Sequence, residues 1–338
     1  MNAILTDEQT LLLDSVRRFL DDKSSAYTHG KNINGADLIS FWNECAQMGW
    51  LQICVPEEQS GLGLSLLDAA LITEEAGRSL LPLPLTQAIA VAALLPSCTL
   101  GDNHGSHALV QWLQGDTYLG AVASRSNNGD SWAEYTIDGC QALDVQWADG
   151  RVVFNGYNIA DMNHGIDPLI ATSKITSERA VWTASGTCSA ESWRKFCRQR
   201  RILKLAELIG TASKALDGAV AYACEREQFG KTIGVNQAIK HRLADNWMAI
   251  DNARLALHDA CAAIEEGRDI ELPMLMAELL AIEASDSTAR QAIQTFGAMG
   301  FTWECPMHFY LKRVKHIIAI LGRKHDTAAM LAQVWELA

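Results

Sequence analysis

The sequence predicts a mainly α-helical protein with a small central β domain: a helical domain over residues 1–100, a β domain over residues 101–190 and a helical bundle over residues 191–338. In the first and last parts, apolar residues recur every three or four positions, as one face of a helix requires. Between them, apolar and polar residues alternate, which is typical of half-buried strands. The chain has 338 residues and is 49% hydrophobic, which is enough for more than one domain.

The N-terminal part carries clear helix boundaries. Thr6 is followed three positions later by Gln9, the spacing of a capping box, so the first helix is predicted to begin after Thr6. A second helix is predicted over about residues 36–48, where Gly49 ends it, and a third over about residues 65–77. These patterns predict that the first hundred residues form a helical domain.

The central part reads as strands and tight turns. Alternating apolar residues over 143–147 predict a strand, and Asp149-Gly150 predicts the two-residue turn of a hairpin. Asn155-Gly156 is a second dipeptide of the same type and predicts another turn. We therefore expect a small antiparallel β domain here.

The C-terminal part is predicted to be a bundle. Its apolar residues recur at helical spacing and form wide stripes, which normally face a bundle interior. The predicted interior residues include Val220 and Trp247. The predicted helices begin near residue 195 and then cover about residues 239–264, 273–296, 307–321 and 326–338.

Composition excludes several classes of partner. The net charge of -12 and the pI near 5.2 oppose binding to phosphate backbones, so no nucleic acid is expected. The nine cysteines form no CxxC pair, which argues against a metal site and against a disulfide framework. The start of the chain has no signal-like apolar stretch, and no apolar run approaches the roughly 20 residues that span a bilayer. We expect a cytoplasmic protein that does not bind membranes.

Two segments carry candidate chemistry. In Arg226–Lys231, Arg226 offers a fork of donors for a pyrophosphate, Phe229 offers an apolar face for a flat ring, and Gly230 suits a left-handed turn. An ordinary helix–helix corner explains the same residues equally well. The second segment, Gln294–Glu304, contains glycines that end a helix and permit close backbone approach, with an amide beside them. Taken alone, a helix C-cap followed by a turn is the simpler explanation.

Together, the two segments resemble the acyl-CoA dehydrogenase family, and the resemblance covers about residues 5–90 and 195–325. Short N-terminal motifs and one motif after the glycine segment agree with it. They are Leu5-Thr6-Asp7-Glu8-Gln9, Gly49-Trp50-Leu51, Val55-Pro56-Glu57-Glu58, Gly61-Leu62-Gly63, Glu74-Glu75-Ala76-Gly77-Arg78 and Leu311-Lys312-Arg313.

The resemblance implies a helical N-terminal domain, a β-barrel-like middle domain and a C-terminal four-helix bundle. It also implies FAD, an acyl-CoA substrate, and a carboxylate that removes the α proton while hydride passes to the flavin. In such proteins the RxxFG segment reaches the FAD of a neighbouring subunit. The residues implied to line that FAD are Arg226, Gln228, Phe229, Gln294, Gly297 and Ala298.

The sequence departs from the family at the catalytic base. One family position of the base is Gly322 here and the other is Arg200, and neither side chain accepts a proton at neutral pH. In the β domain, residues 123–130 and 155–162 are the nearest matches to the flavin-contacting loops. The threonine of the second loop is replaced by Met162.

Half of the site is therefore retained and half is lost. This resembles the short subunits of two-gene, heterotetrameric acyl-CoA dehydrogenases of the steroid-degradation type, which pair with a homologous subunit. An electron-transfer flavoprotein is the acceptor usual for the family. Two alternatives stay open: a self-sufficient homo-oligomer in which Glu207 is a displaced base, and a non-enzymatic scaffold of the same fold.

Overall fold

In a computed structural model, residues 5–28, 35–125, 131–175, 179–322 and 324–337 are described. The helices are α1 Asp7–Thr28, α2 Gly35–Gln47, α3 Leu66–Arg78, α4 Leu85–Leu94, α5 His104–Leu113, α6 Ala190–Glu225, α7 Gln237–Glu265, α8 Glu271–Phe296, α9 Met307–Leu321 and α10 Lys324–Leu337. The strands are β1 Cys98–Leu100, β2 Leu119–Arg125, β3 Ser131–Glu134, β4 Gln141–Ala148, β5 Arg151–His164, β6 Ala171–Ile175, β7 Trp182–Cys188, β8 Glu227–Gln228 and β9 Lys231–Thr232.

The predicted capping box at the start of α1 is confirmed. The backbone N–H of Gln9 donates to Thr6 Oγ1 at 3.2 Å, and the backbone N–H of Thr6 donates to Gln9 Oε1 at 3.1 Å. Ser65 and Asp68 form the same reciprocal pair at the start of α3. Each box satisfies two N–H groups that a helix start leaves without partners.

Seven strands form a small closed sheet, in the order β1-β7-β5-β4-β2-β3-β6. The long strand β5 also pairs with β6, which closes the ring through β4, β2 and β3. The pairings are antiparallel except for the parallel pair of β2 and β4. The mainly α fold with a barrel-like middle is therefore confirmed.

One predicted turn in this sheet is confirmed and the other is wrong. Asp149 and Gly150 join β4 to β5 with positive φ angles of 50° and 78°, as a two-residue hairpin requires. Asn155 and Gly156 instead lie inside β5 and pair with both β4 and β7. The reason for glycine is space, because a Cβ on Gly156 would come within 2.2 Å of the Trp182 indole.

By its internal contacts the chain forms two compact units, whereas the three-domain division stays a prediction. The first unit contains α1, Ala70–Leu81 and the residues from Arg201 onward. The second unit contains the residues that follow α1 as far as Ala69, together with Pro82–Arg200. In the second unit, the Trp42 and Trp112 rings stack at 5.6 Å, and Trp42 Nε1 donates to the Trp112 carbonyl at 3.1 Å.

In the first unit, α3 and α6 cross at two glycines. A Cβ on Gly77 would lie 2.1 Å from the Glu207 carbonyl oxygen, and one on Gly210 would lie 1.8 Å from the Glu74 carbonyl oxygen. Only residues without side chains allow the two backbones to approach this closely. The Gly77 of the Glu74–Arg78 motif therefore positions α3 against the middle of α6.

Two residues predicted for the bundle interior are exposed, and that prediction is wrong for them. Val220 on α6 and Trp247 on α7 both face outward, although Leu216 and Leu243 on the same helices are buried. The apolar spacing is helical at all four positions, so periodicity alone does not separate a face buried within the chain from one left outside it.

Within the described part of the chain, no helix is long and apolar enough to cross a membrane, and no group of three or more metal-ligating side chains could hold an ion.

Candidate functional site

The first candidate segment is a small hairpin that follows α6 directly. Strands β8 and β9 pair in antiparallel register, and Phe229 and Gly230 form the two-residue turn between them. Both turn residues have positive φ, 54° and 74°, which fits the left-handed turn predicted at Gly230. The Ile233 N–H donates to the Arg226 carbonyl at 2.8 Å and closes the base of the hairpin.

Phe229 is 99% exposed at the tip of this hairpin. A left-handed conformation costs a residue with a side chain roughly 1–2 kcal/mol, and a fully exposed phenyl ring recovers nothing from burial. Arg226 and Gln228 are exposed beside it, and no other described residue forms an ion pair with the Arg226 guanidinium. The hairpin thus presents a cation, an amide and an aromatic ring to the outside.

The second candidate segment is the C-terminal end of α8. Gly297 caps the helix with φ of 63°, and its N–H donates to the Gln294 carbonyl. A short 3-10 helix over Gly297–Phe301 follows. Gln294, Gly297 and Ala298 are exposed, whereas Gly300 is buried against the end of α8.

The two segments lie at one end of the bundle because the aromatic rings behind them stack. The Tyr222 ring, in the last turn of α6, stacks on the Phe296 ring with centroids 4.2 Å apart and planes 18° apart. The Tyr222 carbonyl also accepts the Arg226 N–H at 2.8 Å. The structure therefore brings the hairpin and the glycine segment together, and nothing in the sequence pattern indicates this stack.

The β-domain segments that resemble flavin loops are less informative. Residues 126–130 of the first lie outside the described residues. In the second, a bulge separates Ala160 from Asn163, with Asp161 at φ 52°, and Met162 is half exposed. Met162, aligned from the sequence with the family's threonine, has a thioether and offers no hydroxyl donor.

The two residues assigned from the sequence to the family positions of the base, Gly322 and Arg200, are not carboxylates. Gly322 follows the last residue of α9 with φ of 108° and is exposed. Arg200 is exposed on α6, with its guanidinium 5.5 Å from the centre of the Phe196 ring. Neither group is able to take a proton from a substrate carbon.

Glu207, the alternative base, is buried in a network of charges. One carboxylate oxygen accepts from Lys204 Nζ at 2.8 Å, and the other accepts from Arg313 at 3.3 Å. Arg313 is fully buried and also donates to the carbonyls of Leu80 and Leu81. Burial alone would raise the pKa of Glu207, but the charges of Lys204 and Arg313 outweigh it and lower the pKa. Both oxygens of this carboxylate are therefore engaged by cations.

A cavity of about 260 Å³ also lies in the first unit, lined by charged and polar groups that include Arg17, Glu75, Arg78 and Lys214. Arg17 binds Glu75 at 2.8 Å, and Arg78 binds Asp217. None of the residues lining this cavity belongs to the two candidate segments. The candidate site is therefore a surface of exposed groups.

Comparison with known proteins gives two matching domains: the acyl-CoA dehydrogenase N-terminal domain over residues 6–111 and the C-terminal domain over residues 192–323. The acyl-CoA dehydrogenase IpdE2 of Mycobacterium tuberculosis is 32% identical over 297 residues, covering 86% of this chain and 85% of that protein. Its counterpart in Mycolicibacterium smegmatis is 30% identical over 82% of each chain.

Solved structures share the fold. The steroid ACAD Tcur3481-Tcur3483, solved as a G363A variant, superposes with a TM-score of 0.81 at 20% identity over 98% of both chains. The ChsE4-ChsE5 complex from Mycobacterium tuberculosis gives a TM-score of 0.78 at 17% identity over the full length of both chains.

Proposed function

This chain belongs to the acyl-CoA dehydrogenase family of oxidoreductases, and from that premise we propose that it is the base-lacking subunit of a hetero-oligomeric enzyme. In this role it completes the FAD site of a homologous subunit, which supplies the base. The pair dehydrogenates a CoA thioester between its α and β carbons.

The observation that carries the proposal is the Phe229 turn. Burying a phenylalanine stabilises by roughly 1.5–3 kcal/mol, and this ring is 99% exposed on a backbone that is itself strained. Local strain of this kind is typical of sites that become complete only with a ligand or partner. A hairpin tip built to enter another subunit's cofactor site accounts for both features.

The exposed groups at this end of the bundle fit FAD. The Arg226 guanidinium matches the paired oxygens of a pyrophosphate, and the Phe229 face suits the flat adenine ring. Gln294 adds an amide, and the exposed backbone at Gly297 and Ala298 permits close approach. Bound FAD would supply a hydride acceptor, and Arg226, Phe229 and Gln294 of this chain would bind and orient it.

The missing base assigns the proton-transfer step to the partner. A positioned base contributes typically about 10²–10⁴-fold to the rate. Gly322 has no side chain and Arg200 stays protonated, so this chain supplies no such acceptor at the family positions. The partner subunit therefore holds the carboxylate that takes the α proton.

Exposed apolar residues in the first unit support assembly with another subunit. Trp247 and Met248 on α7 are 61% and 54% exposed, and Phe301 and Trp303 are 66% and 65% exposed. Large apolar side chains that a chain leaves exposed are typical of surfaces that a subunit interface covers. Two structures of the same fold, Tcur3481-Tcur3483 and the ChsE4-ChsE5 complex, each carry the names of two proteins, which agrees with assembly from unlike subunits.

The substrate we propose is a bulky, steroid-type acyl-CoA. Support comes from Tcur3481-Tcur3483, a steroid ACAD that superposes on this chain with a TM-score of 0.81. An electron-transfer flavoprotein as acceptor stays a prediction.

The geometry of Glu207 argues against a self-sufficient enzyme. Its two oxygens are engaged by Lys204 and Arg313, and its pKa is lowered, so it is a weaker base than an unperturbed glutamate. The retained Arg226 and Phe229 argue against a scaffold, because a scaffold has no need of exposed cofactor contacts.

The test is to purify the chain alone and together with its homologous partner, and to measure FAD per chain and acyl-CoA-dependent dye reduction. We expect little FAD and no activity in the lone chain, and both in the complex. In the complex, Arg226→Ala should lower FAD retention by at least tenfold, because a charge-assisted contact contributes about 1.5–3 kcal/mol.

Arg151→Ala is the matched control, since Arg151 is also an exposed arginine beside a two-residue hairpin turn. Stoichiometric FAD with full activity in the lone chain would refute the proposal. Equal FAD retention in the Arg226→Ala and Arg151→Ala complexes would show that Arg226 and its hairpin do not hold FAD.

A further inference from the structure

Two cysteines face each other where the chain enters and leaves the sheet. Cys98 is the first residue of β1 and Cys188 is the last residue of β7, and the antiparallel register pairs them directly. Directly paired residues place their side chains on the same face of a sheet. Cys98 is half-buried and Cys188 is buried.

The backbone hydrogen bonds show which kind of pair this is. The Cys188 N–H donates to the Gly150 carbonyl at 2.9 Å, on the β5 side of β7. Since the N–H and C=O of one strand residue point to the same side, those of Cys188 point away from β1. Cys98 and Cys188 are thus a non-hydrogen-bonded pair, the arrangement in which Cα atoms lie about 4.5 Å apart and side chains are closest.

This separation falls within the roughly 4.4–6.8 Å between Cα atoms that disulfides span. The Cys98 thiol donates to the Leu94 carbonyl at 3.4 Å and the Cys188 thiol donates to the Ser189 carbonyl at 3.6 Å, so both sulfurs keep their lone pairs for each other. We propose that Cys98 and Cys188 are a modification site, a dithiol that closes reversibly to a cross-strand disulfide. The bond would enclose residues 99–187 in a covalent loop and join the first strand of the sheet to the strand that precedes α6.

Closure requires a two-electron oxidant, and a small-molecule disulfide supplies it. The Cys98 thiolate attacks one sulfur of that disulfide, forms a mixed disulfide and releases one thiolate. The Cys188 thiolate then attacks the Cys98 sulfur, forms the protein disulfide and releases the second thiolate. The two protons lost by the cysteines end on the two released thiols, and the added disulfide is reduced.

The same surroundings make the reaction slow. Burial and the neighbouring Cys188 raise the pKa of Cys98 to about 12, so little thiolate is present at neutral pH. Because so little thiolate reacts, the two cysteines stay reduced in a reducing compartment, and the disulfide forms only on sustained exposure to an oxidant. This inference does not depend on the proposed function.

The test is to incubate the reduced full-length chain with oxidised glutathione at mildly alkaline pH, alkylate the remaining thiols and map the peptides by mass spectrometry. We expect a peptide pair linked through Cys98 and Cys188, with two fewer alkylated thiols, and its loss after treatment with dithiothreitol. In Cys98→Ser, Cys188 should carry at most a glutathione adduct.

Cys140→Ser is the control, because Cys140 is another half-buried cysteine of the same unit, and this variant should still form the link. The proposal is overturned if both cysteines stay alkylatable after oxidation in the unmodified chain, or if either is linked mainly to a different cysteine. The mapping on the unmodified chain decides the matter even if Cys98→Ser fails to fold.

Discussion

Replacing Glu207 by Gln separates a structural carboxylate from a catalytic one. The carboxylate lies between Lys204 and the fully buried Arg313. Glutamine keeps the volume and one acceptor, but it removes the charge that balances Arg313 and turns an N–H₂ group toward a cation. Removing one partner of a buried ion pair costs about 3–5 kcal/mol. Because Arg313 still donates hydrogen bonds to the Leu80 and Leu81 carbonyls, we expect the free energy of unfolding to fall by the low end of this range, about 3 kcal/mol.

The loss should depend on pH in a defined direction. The native pKa of Glu207 lies below its unfolded value, so its stabilisation is fully present above the unfolded pKa of about 4.3 and is lost as pH falls through the native pKa. Urea unfolding of the unmodified chain and Glu207→Gln should therefore differ most near neutral pH and converge in acid.

Glu191→Gln serves as the control, since Glu191 is exposed in the first turn of the same helix, α6. A surface change of this kind should stay within about 0.5 kcal/mol. The reasoning fails if Glu207→Gln changes the free energy of unfolding as little as Glu191→Gln does and yet lowers the activity of the assembled enzyme by about 10²-fold or more. A loss of activity of that size is expected for a base.

Three further substitutions test other parts of the structure. Phe229→Asn should stabilise the lone chain by about 1 kcal/mol in urea, because asparagine tolerates the left-handed turn, while it weakens FAD retention in the complex; a destabilised lone chain would contradict this. Gly156→Ala should destabilise the chain by about 1–3 kcal/mol and lower its thermal midpoint, because the new Cβ would meet the Trp182 indole at 2.2 Å. An unchanged midpoint would show that the indole moves freely. Gly322→Glu should leave the lone chain inactive in dye reduction, since φ of 108° resists a side chain; substrate-dependent reduction would disprove this.

The parts of the fold that local sequence determines were predicted correctly. The Thr6 capping box and the Asp149-Gly150 turn depend on residues within a few positions of each other, and both are confirmed. The Asn155-Gly156 dipeptide has the same composition as a turn, but Trp182, 26 positions along the chain from Gly156, determines its structure. A dipeptide pattern carries no information about such a distant neighbour.

The candidate site was predicted in part for the same reason. The left-handed turn at Gly230 follows from residue type, but the Tyr222–Phe296 stack that holds the two segments at one end of the bundle is a tertiary contact. The exposure of Trp247 was also missed, because helical periodicity is the same whether an apolar face meets its own chain or another subunit. The assignment of individual residues to FAD stays a prediction.

The buried carboxylates of the first unit give an independent reason to look for the base elsewhere. Among the residues described there, four carboxylates are buried, and each is bound by an arginine: Glu74 by Arg254, Glu75 by Arg17, Glu207 by Arg313 and Glu278 by Arg201. A carboxylate that acts as a base must exchange its charge for a proton during each turnover. Protonating Glu207 would leave the fully buried Arg313 without its counter-charge, at a cost of the same order as breaking a buried ion pair. None of these four buried carboxylates is therefore suited to act as the base, which agrees with the proposal that a second subunit supplies it.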